Sequence, residues 1–159
     1  MNGEYQYDIK EYQYEVKASW TRDRSGIATA EDFPDSIEFA APPEFHGEDG
    51  KWTPEHFLVA AVVSCFVVTF RAIAELSKLE FLDLQVDTIG ALGRSEHGWR
   101  FAQITLLPEV TILHEKDKEL ALKALKKAEH GCLVARALSV PVVMETSIKV
   151  AAAELSSVT

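Results

Sequence analysis

Cysteine is scarce in this sequence, as are segments that would direct the chain out of the cytoplasm. Two cysteines in 159 residues cannot build the dense disulfide framework of a small secreted domain. The N-terminus alternates tyrosine with acidic and polar residues and lacks the basic start and apolar run of a signal peptide. The most apolar run, residues 57–70, has 14 residues, whereas a membrane span needs about 20. We therefore expect a cytoplasmic protein with no membrane partner.

Basic residues are also few. Sixteen Lys and Arg against 25 Asp and Glu leave a net charge of −9, which lacks the electrostatic footprint of a nucleic-acid-binding protein. An apolar content of 47% with 26% charged residues is typical of a globular chain. The length predicts a single domain over residues 1–159, large enough to bury a core.

Several catalytic and cofactor motifs are missing. The sequence has no glycine-rich phosphate loop, no Gly-x-Ser-x-Gly elbow, no Cys-x-x-Cys pair and no His-Glu-x-x-His motif. We therefore predict neither a cofactor nor a metal. A metal site is the weaker alternative, because His56 lies nine residues before Cys65, about 13.5 Å along a helix. Such a site would need two chains to assemble its ligands, which are Cys65, Cys132, His56 and His130.

The order of predicted elements indicates an α+β fold with antiparallel sheets, βββ–α–ββ–α–β. Period-two alternation predicts a half-buried first strand, and hydrophobic periodicity with turn residues places the others. The central helix begins at Thr53-Pro54, a good cap followed by a preferred first helical residue. The predicted strands are 4–20, 27–30, 37–40, 81–92, 99–113 and 142–150, and the helices are 54–78 and 116–130, with a further helical turn from 132 that ends at Pro141.

The two cysteines occupy different surroundings. Cys65 lies in the middle of the apolar helix, and Cys132 follows Gly131 at a helix start, where backbone amides would favour a thiolate. Because 67 residues separate them, spacing does not say whether they meet. Composition alone favours two inert core cysteines, since cysteine is among the most buried residue types.

The segments around both cysteines resemble a known family. Residues 53–66 (TPEHFLVAAVVSCF) resemble the central-helix signature of the OsmC/Ohr family, and residues 128–138 (AEHGCLVARAL) resemble its second cysteine segment. The resemblance spans roughly residues 12–150. It implies an OsmC-like fold with a long buried central helix, assembled as an intertwined homodimer.

The resemblance also implies an activity. Members of this family are thiol peroxidases that reduce organic hydroperoxides in oxidative-stress defence, with a lipoamide-like dithiol as reductant. By this resemblance Cys65 is the peroxidatic cysteine and Cys132 the resolving one. Glu55 would assist together with an arginine, either Arg22 or Arg24, of which Arg24 better matches the family pattern.

These residue types suit the chemistry. Burial raises the pKa of a cysteine, and a nearby guanidinium held by a carboxylate would offset that effect. An apolar wall formed by Phe57, Val62 and Phe66 would favour organic peroxides. The sequence departs from the family at Leu133 and Ala135, where proline and serine are usual, which affects how Cys132 is presented. The rival function is a non-catalytic small-molecule or lipid-binding module on the same fold.

The position of Glu55 predicts a homodimer. Glu55 and Cys65 lie ten residues apart on one predicted helix, so they are about 15 Å apart along the axis and about 80° apart in azimuth. A single guanidinium cannot bridge that gap. We therefore expect the Glu55 that serves Cys65 to come from a second chain. A helix that is apolar nearly all round has surplus surface that a twofold contact would bury.

Overall fold

Three short strands build the N-terminal part of the chain. The computed structural model describes residues 12–151, and the chain divides into two compact units after Pro54. The prediction of one domain over residues 1–159 stays a prediction. The first unit holds an antiparallel sheet in chain order, made of β1 (Lys17–Arg22), β2 (Ser25–Thr29) and β3 (Ile37–Ala40).

The first predicted strand is longer than β1. Residues 4–11 of that prediction lie outside the described residues, and residues 12–16 form no strand. The predicted buried face is wrong, since all six residues of β1 are exposed and Trp20 is 75% exposed. Alternation marks which side chains share a face, but burial of that face needs a covering layer from elsewhere.

The second unit contains the central helix α1 (Pro54–Leu76), which is continuous over 23 residues. It buries Val62, Phe66, Phe70 and Ala74, spaced four residues apart and therefore on one face. The rest of α1 is partly exposed within this chain, with Val68 64% exposed and Leu76 85%, so the helix has apolar surface that its own chain does not cover. By length and composition alone, α1 would also suit a membrane span. The 14-residue apolar run at residues 57–70 therefore underestimated the length of the apolar helix.

A long hairpin follows α1. It pairs β4 (Phe81–Ser95) with β5 (Gly98–Ile112) around a turn at residues 96–97, and Gly98 has a φ of 100° there, which glycine adopts without steric cost. The hairpin confirms the antiparallel prediction for these strands. Gly90 lets α1 approach β4, because a Cβ at Gly90 would lie 2.6 Å from Val59 and 2.8 Å from Phe101.

The last predicted strand is two strands, and both pair parallel to β5. Strand β6 (Val142–Met144) pairs with residues 104–106, and β7 (Ser147–Val150) pairs with residues 109–112. This sheet is therefore mixed rather than antiparallel. The chain reaches it through a helical crossover, the connection that parallel pairing requires. Pro108, which has no N–H to donate, lies in the gap between the two pairings.

That crossover consists of α2 (Lys118–Gly131) and α3 (Leu133–Ala137). Four residues of α2 are buried, namely Ala121, Ala124, Leu125 and Ala128, and its lysines lie on the other face. The four buried residues of α2 form one hydrophobic core with the buried face of α1, alternate residues of β5 and Cys132. Cys132 and the helix that carries Cys65 therefore pack in the same core.

Candidate active site

The middle of α1 presents Cys65 at the edge of the buried stripe. Its side chain is half-buried and packs against the core. One turn further along α1, the hydroxyl Oγ1 of Thr69 lies 4.0 Å from the sulfur of Cys65. The spacing of four residues places these two side chains on the same face of the helix.

Cys132 reaches the same place from the crossover. Gly131 is the last residue of α2, and Cys132 adopts an extended conformation between α2 and α3. The Cys132 side chain is fully buried, and its sulfur lies 3.8 Å from the backbone carbonyl oxygen of Val62. A Cβ at Gly131 would meet Thr69 at 3.4 Å, so the end of α2 packs directly on α1.

The two thiols are near enough to affect each other's pKa, and the surroundings of Cys65 favour its thiolate. Burial alone would raise the pKa of Cys65, but hydrogen-bond donors to the sulfur outweigh burial and lower the pKa below its ordinary value. The donors are the backbone N–H of Val134, the Cys132 thiol, the Thr69 hydroxyl and the backbone N–H of Leu133. Donors that stabilise the charged form are the usual cause of a reactive cysteine.

The surroundings of Cys132 have the opposite effect. Burial raises the pKa of the Cys132 thiol, and the neighbouring Cys65 raises it further, while the N–H groups of Ala135 and Val134 offset only part. The amides at the start of α3 do favour a Cys132 thiolate, as predicted, but burial outweighs them, so the pKa of Cys132 is raised. The N–H groups of Leu133 and Val134 at the same helix start also lower the pKa of Cys65. The pair thus consists of one thiol that ionises readily and one that holds its proton.

Of the predicted assisting residues, Glu55 lies apart from this pair within its own chain. Glu55 is in the first turn of α1, ten residues and about 15 Å along the axis from Cys65 of the same chain. Its Oε2 atom is buried and has no hydrogen-bond partner among residues 12–151. In the first unit, Arg24 donates to the carbonyl of Phe45 at 2.6 Å, and Arg22 is paired with Glu48 at 3.2 Å. The roles of Glu55 and Arg24 stay predictions.

The predicted apolar wall is only partly accessible in the described chain. Val62 and Phe66 are fully buried in the core, and Phe57 is half-buried. Their role in substrate binding stays a prediction. Sequence reasoning missed Thr69, although its spacing of four residues from Cys65 was available as a signal. It also missed the amides of Leu133 and Val134, because their relation to Cys65 is set by tertiary structure.

No cluster of metal ligands within the described residues supports the alternative of a metal site. Over the part of the chain that the structure describes, no three His, Cys, Asp or Glu side chains lie close enough together to hold a metal ion. His130 uses its Nδ1 atom in a contact of 2.7 Å with the Lys126 carbonyl. The chemistry available at this site is therefore that of the two thiols and the donors around them.

The family model for OsmC-like proteins matches residues 47–147. The chain belongs to the OsmC-like family. The matched range covers α1, the hairpin and both cysteine segments, so it confirms the resemblance seen in the sequence. One relative is the uncharacterized protein YmaD of Bacillus subtilis (strain 168), which is 28% identical over 146 residues, 89% of this chain and 97% of that protein.

Solved structures of OsmC-like proteins share the fold. An OsmC-like protein of unknown function from Vibrio cholerae has a TM-score of 0.77 at 19% identity and covers 86% of this chain and 99% of its own. An organic hydroperoxide resistance protein OsmC from Legionella pneumophila has a TM-score of 0.69 at 24% identity, with 87% and 97% covered. The organic hydroperoxide resistance protein OhrB of Bacillus subtilis has a TM-score of 0.64 at 20% identity, with 87% and 98% covered. The predicted OsmC-like α+β fold is confirmed.

Proposed function

We propose that this protein is a cysteine-based peroxidase that reduces organic hydroperoxides, with Cys65 as the peroxidatic residue and Cys132 as the resolving residue. The observation that carries the proposal is the thiol pair itself. Cys65 is half-buried with a lowered pKa, and Cys132 is buried beside it with a raised pKa. Membership of a family that includes organic hydroperoxide resistance proteins supports the same reaction.

The first step consumes the peroxide. The Cys65 thiolate attacks the terminal peroxide oxygen and the O–O bond breaks, so that the sulfur is oxidised to a sulfenic acid and the alkoxide leaves as an alcohol after taking one proton. The lowered pKa of Cys65 increases the fraction of the reactive thiolate. An arginine, with Arg24 as our candidate, would donate to the leaving alkoxide and would be held by Glu55.

The second step forms a disulfide. The thiol of Cys132 attacks the sulfur of the Cys65 sulfenic acid, an S–S bond forms, and one water leaves with the thiol proton. The two side chains are near enough to shift each other's pKa, which supports this step. A dithiol reductant, for which a lipoamide-like dithiol is our candidate, then reduces the disulfide and is itself oxidised to a cyclic disulfide. Such turnover suits the reducing cytoplasm, where we place the protein.

The experiment is a peroxide-consumption assay with cumene hydroperoxide and a dithiol reductant. We expect turnover by the wild type, its loss in Cys65→Ser, and a single oxidation without dithiol-linked turnover in Cys132→Ser. Mass spectrometry after one equivalent of peroxide should find a Cys65–Cys132 disulfide in the wild type and oxidised, unbridged Cys65 in Cys132→Ser. Equal rates for wild type and Cys65→Ser would reject the peroxidase and favour the non-catalytic binding module.

We further propose that the working unit is a homodimer in which Glu55 of one chain serves Cys65 of the other. Two observations support this proposal. The continuous α1 keeps Glu55 about 15 Å from its own Cys65. The second unit also exposes large apolar side chains, among them Val68 on α1 and Ile89 on β4, and contiguous exposed apolar surface is typical of an interface.

A further inference from the structure

The hydroxyl of Thr69 is not used by the helix that carries it. A serine or threonine inside a helix commonly donates its hydroxyl to the backbone carbonyl three or four residues earlier. Ser64 does so, with its Oγ 3.2 Å from the Ala61 carbonyl oxygen. Among the residues that the structure describes, the partner of the Thr69 hydroxyl is instead the sulfur of Cys65, at 4.0 Å. Thr69 therefore directs a hydrogen-bonding group at the reactive sulfur rather than at its own backbone.

The end of α2 holds Thr69 in this orientation. A Cβ at Gly131 would lie 3.4 Å from Cγ2 of Thr69, so the methyl group faces Gly131 while the hydroxyl faces Cys65. Because the branched side chain of threonine has few rotamers in a helix, a methyl group packed against α2 leaves the hydroxyl on the Cys65 side. The Thr69 hydroxyl is thus in place before any reaction occurs.

Thr69 and Cys132 contact α1 on opposite sides of Cys65. The sulfur of Cys132 lies 3.8 Å from the carbonyl oxygen of Val62, three residues before Cys65, whereas Thr69 follows Cys65 by four residues. These spacings place Val62, Cys65 and Thr69 on one face of the helix. When a thiol attacks sulfur, the incoming sulfur and the leaving group lie on opposite sides of the attacked atom. Cys132 is therefore on the incoming side and Thr69 on the leaving side.

We propose that Thr69 is a further catalytic residue of the second step, in which its hydroxyl donates a hydrogen bond to the sulfenic acid oxygen of Cys65 as that oxygen leaves. This inference rests on the proposed peroxidase reaction. The gap of 4.0 Å between Sγ and Oγ1 is longer than an O–H···O distance of about 2.7 Å, so an oxygen bonded to the sulfur fits there. The S–O bond breaks as the S–S bond forms, and the proton of the Cys132 thiol joins the leaving hydroxide to give water.

This hydrogen bond selects between two fates of the sulfenic acid. In the competing reaction, the Cys65 sulfenic acid attacks a second hydroperoxide and breaks its O–O bond, so that the sulfur is oxidised to a sulfinic acid and an alcohol is released. A donor at the oxygen makes hydroxide a better leaving group and withdraws electron density from the sulfur. Both effects favour attack by Cys132 over attack on peroxide. Thr69 thus protects Cys65 from over-oxidation.

The test measures the ratio of disulfide to sulfinic acid at Cys65 by mass spectrometry, after reaction with cumene hydroperoxide at increasing concentration. Both products arise from the sulfenic acid, so the ratio does not depend on how fast the thiolate reacts in the first step. We expect Thr69→Val to lower the ratio about fivefold, the effect of one lost hydrogen bond, and Thr69→Ser to restore it. Ser64→Ala is the matched control, because it removes a neighbouring hydroxyl that bonds to the backbone.

Three results would overturn the role of Thr69, namely a wild-type ratio in Thr69→Val, an equally lowered ratio in Thr69→Ser, or an equal fall in Ser64→Ala. If cumene hydroperoxide does not oxidise the wild type, the proposed function fails. The sulfenic acid is then generated with hydrogen peroxide, and the same ratio still decides the role of Thr69. A wild-type sulfenic acid that forms no disulfide would overturn both proposals.

Discussion

At the scale of single residues, the pKa of Cys65 depends on a few hydrogen-bond donors around its sulfur. No cation contributes to the lowering of its pKa; the causes are neutral donors from α3, Cys132 and Thr69. Donors of this kind are fixed by the fold and cost no reorganisation when the thiolate forms. Thr69 is the one among them that a single substitution removes without disturbing α3 or the second cysteine.

Replacing Thr69 with valine should reduce the reactivity of Cys65. Valine keeps the branched shape but removes the hydroxyl 4.0 Å from the sulfur, so the pKa of Cys65 should rise. Because the thiolate is the reactive form, the reaction rate increases as pH rises through the pKa and then levels off. The profile of the variant should therefore move to higher pH, and its alkylation rate at neutral pH should fall about two- to fivefold.

The measurement is the pH dependence of iodoacetamide alkylation, followed for Cys65 by mass spectrometry. Thr69→Ser restores a hydroxyl and is the control, which should follow the wild-type profile. A Thr69→Val profile that coincides with that of the wild type would show that the hydroxyl has no electrostatic role.

At the scale of elements, the site depends on how closely α1 lies on the hairpin. The closest approach is at Gly90, where a Cβ would be 2.6 Å from Val59 and 2.8 Å from Phe101. These neighbours belong to a helix and a central strand that pack on the core, so an added methyl group at Gly90 would have to displace a side chain or the helix itself. Gly93, in the same strand, meets only Ala102 at the ordinary contact distance of 3.5 Å.

We expect Gly90→Ala to lower the free energy of unfolding by roughly 1–3 kcal/mol, the usual cost of forcing an extra methyl group into a packed core. Gly93→Ala should be neutral or slightly stabilising, because alanine loses less conformational entropy on folding than glycine. Urea unfolding followed by tryptophan fluorescence measures both variants. Equal stability of the two variants would mean that α1 does not press on β4 at Gly90.

At the scale of the whole molecule, the composite homodimer predicts that two inactive variants will complement each other. If Glu55 serves Cys65 of the partner, a mixed dimer of Cys65→Ser and Glu55→Gln contains one site with both defects and one site with neither. We therefore expect about half of the wild-type activity per mixed dimer, since its intact site behaves independently. If Glu55 served its own chain, every site would carry one defect.

The mixed dimers are prepared by co-expressing differently tagged chains and purifying through both tags, and their peroxide consumption is compared with each variant alone. Activity no higher than the mean of the two homodimers would reject the composite site. A monomeric mass by light scattering at micromolar concentration, with full wild-type activity, would reject the dimer altogether.

The sequence by itself determined the features that follow from local chemistry. The start of α1 at Thr53-Pro54, the span of the long hairpin, the short strand at residues 37–40 and the break before Cys132 all follow from capping, alternation and turn residues. The two cysteine segments were enough to indicate the family. These signals are readable because each depends on residues within a few positions of one another.

Only the tertiary structure decided which groups meet. The 66 residues between Cys65 and Cys132 hold no information on their distance, and it is the packing of α2 on α1 that brings the thiols together. The same crossover makes β6 and β7 parallel to β5. It also brings amides of α3 to Cys65 and buries Cys132, so that burial outweighs the effect of the α3 amides on the Cys132 thiol. Burial of one stripe of α1, with the rest exposed, likewise depends on which layers lie against it, and no local pattern specifies that.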